Sequence, residues 1–128
     1  GKNVFFFREK NRSELLELYN IADLFVLSSH SEGLPFALLE AMACGTVCIS
    51  SPVGGIPDVI REGHNGFMAN SVSPFDFAVK IQNALAMNEL DLAALRNNAR
   101  TTVLESFDLR KIAENMIDII SNPTICAN

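Results

Sequence analysis

A chain of 128 residues with 48% apolar content, no Trp and a net charge of −5 can bury one hydrophobic core and not two. The acidic balance argues against nucleic acid and against general adhesion to anionic lipid, since both need a basic face. No apolar run approaches the ~18 residues of a membrane span, and the first residues lack the basic-then-apolar pattern of a secretion signal, so a cytoplasmic location is the default.

The hydrophobic pattern sets out the elements in order. Asn3 to Phe7 predicts a strand, Ser13 to Ile21 a helix capped by Ser13, and Leu24 to Leu27 a short buried strand running into Ser28 and Ser29. Pro35 suits the first position of a helix through Phe36, Leu39 and Met42 that stops at Gly45. Val47 to Ser50 predicts the next strand, Ile56 to Glu62 a short helix after the Gly54-Gly55 turn, and Gly66 to Ala69 a last strand. Ser73 caps a helix from Pro74 to about Met87, and a second helix runs from about Glu89 to Glu105. Asp108 caps a third, with Ile112, Met116, Ile119 and Ile120 on one stripe, and the tail from 123 to 128 is expected to be loose. Strand and helix alternate, which implies a doubly wound, Rossmann-like parallel sheet of about four strands with helices on both faces and a helical carboxyl end.

The segment from Glu32 to Gly45 joins the end of one strand to the start of a helix. Such a junction opens the helix at the carboxyl edge of the sheet, where free backbone N–H groups and the helix dipole favour an anion. The free groups expected there belong to Phe36, Ala37 and Leu38, and a phosphate fits them. Glu32 and Glu40 flank this point. A carboxylate that touched the phosphate would repel it, so the pair is better suited to accepting hydrogen bonds from hydroxyls. A phosphate between two hydroxyl-reading carboxylates describes a sugar nucleotide. Spacing alone is weak support, because two Glu eight residues apart are commonly solvated.

Three cysteines, with Cys44 and Cys48 around a Gly and Cys126 near the end, match neither a disulfide framework nor a zinc spacing. Cys44 and Cys48 read as small buried hydrophobes. His30, in a polar loop, and His64, in a Gly-rich turn, read as ordinary solvated or structural residues. Arg8, Lys10 and Arg12 cluster after the first strand, on the same rim as the phosphate crevice.

Glu32-Gly33-Leu34-Pro35 through Glu40-Ala41-Met42-Ala43-Cys44-Gly45 resembles the signature of the GT-B retaining glycosyltransferases, the glycosyl transferases group 1 family. Further matches lie at Glu14-Leu15 to Tyr19 before Ala22-Asp23-Leu24-Phe25-Val26-Leu27, then at Val53-Gly54-Gly55-Ile56-Pro57-Asp58-Val59-Ile60 and at Gly63 to Asn65-Gly66, and the resemblance covers roughly residues 3 to 120. It implies a partial carboxyl-terminal, donor-binding domain over residues 1 to 122. The implied reaction moves a sugar from a nucleoside diphosphate to an acceptor hydroxyl with retention, in glycan, capsule, lipopolysaccharide or glycolipid synthesis, without a cofactor or metal. Glu32 is then the catalytic-site carboxylate at the donor sugar. Gly33, Leu34, Phe36, Ala37, Leu38 and Glu40 bind the nucleotide sugar, Glu40 through the ribose, and Lys10 lies beside the base. The family has Gly where this chain has Arg8.

The resemblance also implies that two further strand-helix units precede this sequence, carrying an Arg and a Lys for the diphosphate, together with an amino-terminal domain that binds the acceptor. The chain is therefore read as a fragment of a longer enzyme or a truncated gene product, poorly active alone, and brought to the inner face of the membrane only through its parent. Two rivals stay open. One is another GT-B activity, such as a nucleotide-sugar epimerase or a phosphorylase; the other is a non-catalytic nucleotide-binding or assembly module, self-associating through the stripe at Ile112 to Ile120.

Overall fold

The computed structural model describes residues 3 to 107. The expected helix after Asp108 and the tail lie outside the described residues. The order is α1 (Arg12–Ile21), β1 (Leu24–Leu27), α2 (Phe36–Ala43), β2 (Val47–Ser50), α3 (Ile56–Val59), β3 (Phe67–Met68), α4 (Pro74–Leu85) and α5 (Glu89–Ser106). The three strands form one parallel sheet in the order β1-β2-β3, with Leu24 opposite Val47 and Ile49 opposite Phe67.

β2 is the central strand and all four of its residues are buried, as expected where both faces of a parallel sheet are covered. Side chains alternate across the sheet. Cys48 therefore faces a core built from Tyr19, Leu38, Met42, Ile56 and Ala99, while Ile49 faces a smaller one with Phe77 and Ala84 of α4. Helices α1, α2, α3 and α5 thus cover one face, and α4 covers the other. This is a Rossmann-like parallel sheet with helices on both faces.

The expected strand at Asn3–Phe7 is not formed, so the sheet has three strands and not about four. A strand exists only where a neighbour accepts its hydrogen bonds, and among the described residues this segment has none. Its apolar side chains are exposed, Phe6 at 96%. Several boundaries also move. Asn11, not Ser13, caps α1 in a reciprocal capping box: the Glu14 N–H donates to the Asn11 carboxamide at 3.0 Å, and the Glu14 carboxylate accepts from the Asn11 N–H at 3.0 Å. Helix α3 ends at Val59, short of Glu62, because Glu62 forms a parallel bridge with Gly66 that leads into β3.

Helix α2 ends in a Schellman motif. Gly45, with φ of +73°, donates to the Met42 carbonyl at 2.9 Å, and Thr46 donates to the Ala41 carbonyl at 3.0 Å. The motif turns the chain straight into β2. Thr46 is further held by its hydroxyl, which donates to the Tyr19 carbonyl at 2.6 Å, so α1, α2 and β2 are locked at one point.

Candidate functional site

Helix α2 opens where β1 ends, after a loop from Ser28 to Pro35. Pro35 sits at the N-cap, one residue before the position expected, with extended dihedrals. Its carbonyl accepts the first bonds of the helix, from Leu38 at 3.1 Å and Leu39 at 3.4 Å. The Leu38 amide is therefore occupied and its side chain is fully buried in the core. The Phe36 and Ala37 amides have no partner among the described residues. Two of the three expected donors are open, and they sit at the positive end of an eight-residue helix.

The loop ahead of them is fixed from two sides. Ser29 donates through its hydroxyl to Glu32 Oε1 at 2.5 Å, and the other carboxylate oxygen has no partner among the described residues. Gly55 donates its N–H to the Gly33 carbonyl at 2.8 Å. Gly54 has φ of +58°, and a Cβ there would lie 1.8 Å from the Glu32 carbonyl oxygen. The Gly54-Gly55 turn thus allows the backbone to approach that of Glu32 and Gly33, and a side chain at Gly54 would push the glutamate out of place. Leu34 at the end of this loop and Phe36 at the start of α2 are both exposed, Phe36 at 76%.

Glu40 is half-buried on the next turn and a half of α2. It lines a pocket of about 200 Å³ with Arg12, Phe36, Leu39, Val103 and Phe107. Tyr19 stands on its inner side: burial first, and then the neighbouring Glu40 carboxylate by charge and hydrogen bonding, push the Tyr19 phenol above its ordinary value. The Tyr19 ring is itself held edge-on to Phe25, with centroids 5.6 Å apart. In sequence Tyr19 belongs to the family pattern, but nothing there shows that it stands beside Glu40.

Lys10 lies elsewhere. Its ammonium pairs with Glu14 at 2.9 Å and sits 5.3 Å from the centre of the Phe7 ring, in a separate pocket of about 170 Å³ walled by α1. The structure therefore places Glu32, Gly33, Leu34, Phe36 and Ala37 around the open end of α2 and Glu40 a turn further along it, while Lys10 and the Leu38 amide are engaged in other contacts. Among the described residues no group of three His, Cys, Asp or Glu is placed to hold a metal ion, and no helix is long and apolar enough to cross a membrane.

A larger, mostly apolar cavity of about 520 Å³ lies on the opposite face of the sheet, between the end of β1 and α4, with Val26, Ser28, His30, Phe77 and Ile81 on its walls. It was not anticipated from sequence. The signal available was Val26, whose outward position in β1 leaves an apolar side chain 40% exposed. This cavity is mostly apolar, whereas the open Phe36 and Ala37 amides lie at the start of α2 with Glu32 in the loop before it and Glu40 further along it.

The geometry has counterparts among known proteins. The family model described as "Glycosyl transferases group 1" matches residues 1–102. The chain is 39% identical over 85 residues to the D-inositol 3-phosphate glycosyltransferase of Geodermatophilus obscurus, covering 66% of this chain and 19% of that protein. It is 37% identical over 109 residues to the N-acetyl-alpha-D-glucosaminyl L-malate synthase of Bacillus anthracis, covering 85% of this chain and 28% of that protein. Among solved structures, sucrose-phosphate synthase from Thermosynechococcus elongatus superposes with a TM-score of 0.86 at 28% identity, over 99% of this chain and 32% of that one. Anabaena Alr3699/HepE in complex with UDP superposes at 0.77, with 23% identity, over 83% of this chain and 29% of that one, a likeness of fold alone. The chain spans about a fifth to a third of the length of these proteins. With the family model covering most of it and the GT-B sheet reproduced, this chain belongs to the glycosyl transferases group 1 family.

Proposed function

We propose that this chain is the donor-binding part of a glycosyltransferase that moves a sugar from a nucleoside diphosphate to an acceptor hydroxyl with retention of configuration. The observation that carries the reading is the pair of open amides, Phe36 and Ala37, at the end of β1 with Glu32 before them and Glu40 after them. Departure of the diphosphate puts negative charge where those donors point, and fixed donors in a preorganised site stabilise such charge without reorganising. The reading gives no role to a metal. The Glu32 oxygen not bonded to Ser29 holds a hydroxyl of the donor sugar near the reacting carbon, and Glu40 accepts from the ribose hydroxyls. Retaining glycosidases set two carboxyls ~5 Å apart across one bond; here Glu40 is assigned to the ribose side, so that layout is not adopted. Related folds bound to UDP and UDP-glucose support a nucleotide-sugar donor.

The acceptor site and closure of the cleft belong, in this reading, to sequence beyond this chain, in a cytoplasmic parent of polysaccharide or glycolipid synthesis. A second reading, a binding or assembly module without turnover, is favoured by one observation: the exposed apolar run Val4 to Phe7. An NMR titration with a nucleoside diphosphate sugar tests the donor site directly. Amide shifts are expected at Phe36 and Ala37; shifts confined to the His30 cavity would overturn the assignment.

A further inference from the structure

We propose that Tyr19 is a positioning residue that holds the Glu40 carboxylate toward the ribose hydroxyls of the nucleotide. The inference rests on the nucleotide reading given above and adds a residue to it. Glu40 is half-buried on α2, and an untethered glutamate side chain has several rotamers open to it. Selecting one of them costs entropy when the ligand binds, unless the protein has fixed it beforehand.

Tyr19 can fix it because its own ring is fixed. It is the one buried residue of α1, packed in the core with Leu38 and Met42 of α2 and set edge-on to Phe25 of β1. Its carbonyl accepts from the Thr46 hydroxyl at 2.6 Å, at the point where α2 passes into β2. Ring and backbone are thus both tied to the elements around Glu40. Glu40 and Cys44 stand one turn apart on α2 and both act on the phenol, which sets its hydroxyl against that turn. After burial, the Glu40 carboxylate is the next largest influence that holds the phenol proton, by charge and by hydrogen bonding. A phenylalanine would fill the same apolar space, as Phe25 does beside it. What the tyrosine adds is a donor, and a phenol that bonds one carboxylate oxygen leaves the lone pairs of the other for a ligand.

Two measurements test this. Tyr19 is the only tyrosine and the chain has no Trp, so near-UV absorption beyond the phenylalanine bands reports on this phenol alone. Glu40→Gln is expected to move that absorption to shorter wavelength at neutral pH, because a phenol bonded to a carboxylate absorbs further to the red than one bonded to an amide. An unchanged spectrum overturns the proposal, and this arm decides even if Tyr19→Phe fails to fold. The second measurement is a titration of UDP, GDP and their 2′-deoxy forms, followed by amide shifts, into the wild-type chain, Tyr19→Phe, Glu40→Gln and the double variant. Tyr19→Phe is expected to weaken the ribonucleotides by about threefold to tenfold, the range of one hydrogen bond, and the deoxy forms much less, whereas lost packing would weaken both alike. In the Glu40→Gln background the same change should cost almost nothing further. Equal losses with ribose and deoxyribose in Tyr19→Phe, or additive losses in the double variant, overturn the role of Tyr19; the ribose reading still stands if Glu40→Gln discriminates between the sugars. A Glu40→Gln variant that weakens both sugars alike, or a wild-type chain that responds to no nucleotide, overturns the nucleotide reading, and the role of Tyr19 with it.

Discussion

Ser29 and the Gly54-Gly55 turn together fix both the side chain and the backbone of Glu32, whereas Glu40 rides on a helix with Tyr19 behind it. In the proposed reading the two carboxylates do different work, and the difference is measurable in a full-length protein that carries this chain. Glu32→Gln is expected to lower kcat far more than donor affinity, because positive charge develops at the reacting carbon only as the bond breaks. Glu40→Gln is expected to raise KM for the donor and weaken free nucleotide by up to ~1.5–3 kcal/mol, with kcat little changed. Steady-state kinetics with nucleotide binding separates them, and equal small effects would withdraw both roles. A second residue-scale consequence is alkaline instability. Burial raises the Cys48 thiol from 9.0 to about 12, so the fold holds the proton more tightly than the unfolded chain does. Its contribution is complete below pH 9 and is lost as pH rises toward 12, by roughly 1–1.5 kcal/mol between pH 8 and pH 10. Urea midpoints should show this slope, and Cys48→Ala should flatten it even while lowering stability overall.

At the scale of elements, α1 depends on its start. It is ten residues long with one buried residue, Tyr19, so tertiary packing holds it at its far end and the capping box holds the near one. Asn11→Ala is expected to cost about 1 kcal/mol, read as a lower thermal midpoint, with fraying seen as faster amide exchange at Glu14 and Leu15. Unchanged exchange there would show that packing alone sustains the helix. The Asn-x-x-Glu pattern was legible in the sequence; Ser13 drew attention because it stands nearer the apolar periodicity. Helices α2, α4 and α5 and strands β1 and β2 were readable because their apolar residues repeat at the helical or strand period, and the end of α2 because Gly45 meets a stereochemical need. The segment Val4-Phe5-Phe6-Phe7 has the same local character as β1, yet its state depends on a pairing partner that its own residues do not encode. The pairing of Lys10 with Glu14 was hidden from the sequence for a similar reason. Position along the chain placed the lysine near the rim, but the choice between Glu14, one helical turn away, and a distant pocket is made by local geometry. The open Phe36 and Ala37 amides were legible from Pro35 and the strand before it, whereas Leu38 is lost as a donor because the first turn closes with a three-residue bond to the Pro35 carbonyl.

The whole molecule pairs a well-covered centre with an uncovered margin. β2 is buried on both faces and paired on both edges, but among the described residues nothing pairs with the outer edge of β1, and nearby apolar surface lies open at Val26 and along Phe5, Phe6 and Phe7. An unpaired parallel edge is a template for strand addition, and an exposed β-prone aromatic run supplies such a strand. The net charge of −5 opposes association through repulsion, but screening shortens its reach to about 8 Å at physiological ionic strength, while burial of aromatic surface keeps its strength. The chain on its own is therefore expected to self-associate more as salt is raised. Sedimentation velocity at low and moderate salt should show the shift, and Phe5→Ser with Phe6→Ser should return the chain to monomer without altering nucleotide-induced shifts at Phe36 and Ala37. A wild-type chain that stays monomeric at moderate salt and tens of micromolar would mean the aromatic run is covered from within, and the exposed margin would no longer explain any assembly.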